Sequence, residues 1–176
     1  MQAQKDIDFS KIKWSKITRE KAEFIYNEAI ARLDSIHRNN DIITNKAIGM
    51  LSFSLPILAA LTGYFILQIK ELSTPLLAMS ICAGVFLFAI LVLLLLILLP
   101  RGINSAQGEP SAYFTDNYYL SSMLNILKGN IQTLHQYIKE DGTIQRERAN
   151  LFNAAVVLFA IFPIISAGVW AVLSLY

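Results

Sequence analysis

Few residues of this chain have both the type and the spacing to do chemistry. The most pointed are Arg32 and His37, in the run Arg32-Leu33-Asp34-Ser35-Ile36-His37. An imidazole can give or take a proton near neutral pH, and a guanidinium can stabilise negative charge that builds in a transition state. The same side chains also have an ordinary use. Glu28 lies one helical turn before Arg32, and Asp41 one turn after His37. Asp34 and Arg38 stand at the same separation, so helix-surface ion pairs are the alternative. Three roles stay open for Arg32 and His37: catalysis, a structural or subunit contact, and a solvated face. His135 has no arginine at the matching distance upstream and is expected on a bundle surface.

The rest of the sequence offers little other chemistry. Cys82 is the single cysteine and sits in an apolar stretch, which excludes disulfides and suggests a small packing residue. There is no phosphate-cradling glycine loop, no His pair at metal-ligand spacing and no serine nucleophile motif, so neither a metal nor a cofactor is expected. A net charge of +2 does not argue for nucleic-acid binding. No Asp, Glu, Lys, Arg or His falls within the apolar stretches, which argues against proton- or ion-coupled transport.

The elements that must position Arg32 and His37 follow from hydropathy. The chain is 55% hydrophobic and 16% charged, with no charge between Ala47 and Ile69, Leu72 and Pro100, or Ala149 and Tyr176. The expected fold is an all-α integral membrane protein with three transmembrane helices and a cytosolic helical bundle. The first and third spans continue cytosolic helices. Residues 1–46 form a cytosolic N-terminal tail and amphipathic helix, 47–69 span 1, 75–99 span 2, 100–150 a cytosolic helical segment and 154–176 span 3. The twenty-three residues from Ala47 to Ile69 are enough to cross a hydrocarbon core of about 30 Å. No signal peptide is expected, because the first forty-six residues are charged and helical.

From Ile17 to Ile69 one helix is predicted, capped by Ser15 or Thr18, with Ala22, Ile25, Ala29, Leu33, Ile36, Ile43 and Ala47 along an apolar stripe. Gly49, Ser52, Pro56, Ala59 and Gly63 recur at helical spacing and leave one face of the first span without bulk. Such a face packs helices closely in lipid, either within the chain or between subunits. Pro56 should bend the helix. Ser73 or Thr74 caps span 2, whose half beyond Val85 suits lipid. Leu120, Leu124, Leu127, Ile131, Leu134 and Ile138 step by four and three, a stripe of the coiled-coil or bundle type flanked by Tyr113, Tyr118, Tyr119 and Tyr137. Lys139-Glu140-Asp141-Gly142 is expected to stop that helix, with Gly142 as a left-handed cap. Thr143 then begins the last helix, softened by Pro163 and Gly168, with Trp170 and Tyr176 at the outer interface.

The positive charges orient the chain. Nine precede span 1, five lie between spans 2 and 3, and only Lys70 lies in the outer turn. The N-terminus and the middle segment are therefore expected in the cytoplasm and the C-terminus outside. A cytosolic core this thin favours assembly with further copies. Any pore would be lined by small, hydroxyl-bearing or apolar side chains from several subunits.

An Arg and a His with four residues between them, on a helix, is similar to the pattern of HEPN-type ribonucleases. There the His serves as acid or base on ribose, the Arg stabilises the phosphorane, and two pairs face each other in a dimer. Leu33 departs from the polar residue usual in that family and favours a structural role. With the size and the multi-span layout, the motif resembles the larger of the two small membrane accessory proteins of type VI-B CRISPR systems. The resemblance implies a homo-oligomeric inner-membrane pore in antiviral defence, acting with an activated RNA-guided RNA-targeting nuclease and perturbing membrane integrity. Arg32 and His37 would be its divergent HEPN pair. The small helical membrane effectors of nucleotide-signalled bacterial immunity are close in plan. The expected function is that of a membrane effector, with itself, membrane lipid and the nuclease as partners. A membrane-tethered ribonuclease that binds RNA directly and an inert recruiting scaffold are the rivals.

Overall fold

The computed structural model describes residues 9–68, 73–105 and 121–175. Short 3-10 turns at Phe9–Lys11 and Trp14–Lys16 lead into α1 (Arg19–Gln68), followed by α2 (Thr74–Leu98) and α3 (Met123–Ser174). The described fold is all-α, and each of its three long helices is long and apolar enough to cross a membrane. Leu120, Tyr113, Tyr118, Tyr119, Lys70 and Tyr176, singled out above, lie outside the described residues.

α1 begins where Thr18 caps it: its Oγ1 accepts from Lys21 N at 3.4 Å and its carbonyl from Ala22 N at 3.0 Å. The helix runs unbroken through Pro56. Ser73 flanks α2 with a carbonyl that accepts from Leu77 N, while its hydroxyl makes no cap bond and Pro75 sits in the first turn.

The expected stop at Lys139–Gly142 does not occur. α3 runs through Gly142, no described glycine has a positive φ, and the Thr143 hydroxyl donates to Lys139 O instead of starting a new helix. Packing explains the difference. A Cβ on Gly142 would lie 3.8 Å from Ile36 Cδ1, so this position faces α1 closely, and the neighbouring Asp141 is fully buried. A helical glycine costs about 1 kcal/mol relative to alanine, less than these contacts return.

The chain divides into two compact units, residues 1–38 with 102–143 and residues 39–101 with 144–176. In the first, Leu33, Ile36, Leu134 and Ile138 form one buried cluster, and Ala22, Leu127 and Ile131 another, covered by Phe9, Trp14, Ile17 and Leu124. The four-three stripe from Leu124 to Ile138 is thus the inner face of α3. Ile25, placed on the apolar stripe by spacing, is instead 40% exposed, and Tyr26 takes its place against both clusters.

In the second unit α1 and α2 form an antiparallel hairpin, with Leu61 beside Gly84. Ala47, Leu87, Ile90, Leu94, Ile97 and Ala155 make its core, with Phe159 and Phe162 edge to face against it. The half of α2 beyond Val85 is therefore two-sided. Its leucines and isoleucines at helical spacing are buried, while Val85, Phe88 and Leu95 point outward. Phe53 and Ile164 are 71% and 72% exposed. Large outward apolar side chains on every helix of this unit are what a hydrocarbon surrounding accommodates and water does not.

Candidate functional site

Two constellations of polar side chains stand out in the first unit, and they divide Arg32 and His37 between them. Five residues along an α-helix correspond to about 140° of rotation, so the two side chains leave α1 on different faces. His37 faces α3. Its Nε2 donates to Asp141 Oδ2 at 2.9 Å, with the His37 side chain 27% exposed and Asp141 fully buried. The carboxylate fixes the tautomer, since an ionised Asp can only accept. Asn104 completes the cluster. Its backbone N donates to Asp141 Oδ2 at 3.3 Å, and its Nδ2 to Asp141 Oδ1 at 3.0 Å and Glu140 Oε2 at 3.1 Å.

Asp141 is thus a buried acceptor with three donors from two other segments. A carboxylate taken from water is tolerated only with such partners. The arrangement holds the His37 ring in place through Nε2. Chemically it is a clamp between α1, α3 and the stretch after α2.

Arg32 lies on an open groove of about 500 Å³ lined by Glu28, Ala29, Ala31, Ser35, His135 and Ile138. Phe9 packs edge-on against the His135 ring, with centroids 5.1 Å apart. The helix-surface pairs expected from sequence, Glu28–Arg32, Asp34–Arg38 and His37–Asp41, are not among the ion pairs of the described residues, where Arg19–Glu23 is the i,i+4 pair formed. His37 turns to Asp141 instead, because a buried carboxylate is a stronger partner than an exposed one.

In the second unit Arg148, 7% exposed, donates Nη2 to Leu99 O at 3.1 Å, and Arg101 donates to Glu147. Sequence reasoning missed Asp141, Asn104 and Arg148. Asp141 was absorbed into a helix-stop pattern, and nothing local marks Asn104. An aspartate on the inner side of the Leu134–Ile138 stripe was the one available signal.

Gly49, Ser52, Pro56 and Ala59 are exposed and Gly63 is half-buried. Nothing described lies within 4 Å of a Cβ built on Gly49 or Gly63. Among the described residues no three His, Cys, Asp or Glu side chains come together as a metal site. Compared with protein-family models, curated proteins and solved structures, the chain matches none.

Proposed function

We propose that this chain is a multi-pass membrane effector whose copies assemble through the uncovered face of α1, and that the assembled spans form or gate a permeation path. One observation carries the reading. The series Gly49, Ser52, Pro56, Ala59, Gly63 continues backwards through Phe24, Glu28, Ala31, Ser35, Arg38, Ile42 and Asn45 at the same alternating steps of four and three. All of these except the half-buried Gly63 are exposed.

This seam sits two residues, about 200° of helix rotation, from the buried stripe that includes Leu33, Ile36 and Ala47. α1 therefore has a packed face and, opposite it, a second face with the spacing of a helix contact. Where the helix is apolar, that second face is lined by small residues, which let backbones approach closely in lipid.

The distribution of positive charge supports a cytoplasmic N-terminus and a C-terminus on the opposite side, and the resemblance to the type VI-B accessory group implies a bacterial inner membrane, with that C-terminus in the periplasm. The resemblance to the type VI-B accessory group supplies the setting, antiviral defence alongside an RNA-guided RNA-targeting nuclease. Arg32 and His37 leave α1 about 140° apart, which supports a structural role for the pair over a ribonuclease one.

The test is the mass of the detergent-solubilised complex together with membrane potential on triggered expression. The wild-type protein should be a multimer that depolarises cells. Gly49→Leu with Gly63→Leu should give a helical monomer that does not. A wild-type particle of single copy, with potential unchanged, overturns the proposal.

A further inference from the structure

One charge of the second unit has no counter-charge beside it. Arg148 of α3 is 7% exposed, and no carboxylate among the described residues pairs with it. Its Nη2 donates to Leu99 O at 3.1 Å, while its Nε is sealed from solvent without a partner. The adjacent carboxylate, Glu147, is taken by Arg101. A guanidinium keeps its proton in a protein, so the charge stays. The carbonyl at the end of α2 offsets only part of it, since a helix C-terminus carries about half an elementary charge. A cation this buried calls for an anion.

Position along the chain says which anion. Arg148 is the last charged residue before the charge-free stretch Ala149–Tyr176, and Arg101 the first after Leu72–Pro100. Through Leu99 and Glu147 the two meet where α2 ends and the apolar part of α3 begins. In a spanning chain that is the level of the lipid phosphates, just outside a hydrocarbon core about 30 Å thick. Basic side chains set between spans on the cytoplasmic side suit an anionic headgroup. A lipid also favours a site with little open surface. Nη1 is the one guanidinium nitrogen neither bonded nor sealed. A phosphate already held at the interface by its acyl chains can use that single edge, whereas a free phosphate would give up its water for one contact.

We infer that Arg148 anchors a site for the phosphate of an anionic lipid in the cytoplasmic leaflet, with Arg101 at its rim. The inference rests on the spans lying in a membrane with the charged end of α3 in the cytoplasm, and not on how copies assemble. Neither arginine lies on the α1 seam.

Native mass spectrometry of the full-length protein, released from detergent micelles doped with lipid, tests it and counts subunits in the same spectra. The probes are phosphatidylglycerol, phosphatidylcholine and, as a soluble phosphate, glycerol 3-phosphate. Phosphatidylglycerol should be held about tenfold more tightly than phosphatidylcholine, and glycerol 3-phosphate should not be retained. Arg148→Met should weaken phosphatidylglycerol by about tenfold, the scale of a lost charge-assisted contact. Arg148→Lys, which keeps the charge, should recover most of that loss. Lys13→Gln removes an equal charge from an exposed position before α1 and should leave lipid binding within about twofold. An unchanged subunit number in Arg148→Met separates loss of the lipid from loss of the assembly, and unchanged helical circular dichroism separates it from loss of the fold. The inference is overturned if the wild type holds both lipids alike, or if Arg148→Met holds phosphatidylglycerol as the wild type does. It is also overturned if Lys13→Gln loses the lipid equally, or if glycerol 3-phosphate binds as tightly as the lipid.

Discussion

The two units share α1 and α3 but are held together by different means. In the first, small apolar clusters are supplemented by a buried carboxylate whose donors come from other segments, and the outward positions of α1 carry charge. In the second, the clustered core is apolar and many outward positions of the spans are apolar too, while Asn40 and Arg148 are buried as well. There Ser52, Ser54 and Thr62 each donate a hydroxyl to the carbonyl four residues back in their own helix, at 2.9, 2.9 and 2.7 Å. In water, hydrophobicity sorts inside from outside, and a buried polar group is anchored by distant partners. In lipid, hydrophobicity sorts little, so packing shape decides the contacts, and these three hydroxyls are satisfied within their own helix.

The sharpest way to break this contrast is a matched pair of core truncations. Leu33→Ala in the first unit should cost about 3 kcal/mol, the sum of a transfer and a cavity term. Leu94→Ala in the second, reconstituted in bilayers, should cost about half as much, because lipid and protein interior are equally apolar. Reversible denaturation in vesicles, read by probes in each unit, checks both, and equal losses would erase the distinction.

His37→Ala comes next, at about 2 kcal/mol, because it leaves the Asp141 carboxylate short of a donor while still buried. Hydrogen exchange at the Asn104 amide should accelerate with it. In the companion variant Asp141→Asn, which lacks the buried charge, His37→Ala should cost less.

The smallest effect has the most informative sign. Gly142→Ala should stabilise by up to about 1 kcal/mol, since the residue is helical and its new methyl group meets Ile36 at an ordinary distance. A left-handed cap at the same residue would make the change destabilising, and thermal melting distinguishes the two.

These comparisons also show how far the sequence carries. Hydropathy and charge gaps reveal helices fit to cross a membrane, because span length is a property of consecutive residues. The Leu124–Ile138 stripe is legible for the same reason, and so is the small-residue series on α1. The continuity of α3 is not, since Gly and Asp favour a stop locally and only the donors around Asp141 overrule them. The His37–Asp141 bond joins residues 104 positions apart, beyond any periodicity. Arg32 and His37 look like one motif on paper, yet the helix turns them onto separate neighbours.

The hydroxyls that fold back onto α1 bear on what could cross the proposed assembly. Ser52 Oγ and Thr62 Oγ1 have already given their protons to Ile48 O and Leu58 O, so what each still offers outward is an oxygen lone pair. A water-filled route bordered by the Thr62 side of the helix, beside the seam, would present acceptors and no fixed charge. Potassium or sodium, losing part of its hydration shell, would find substitutes there that chloride would not, and the reversal potential under a salt gradient should lie on the cation side.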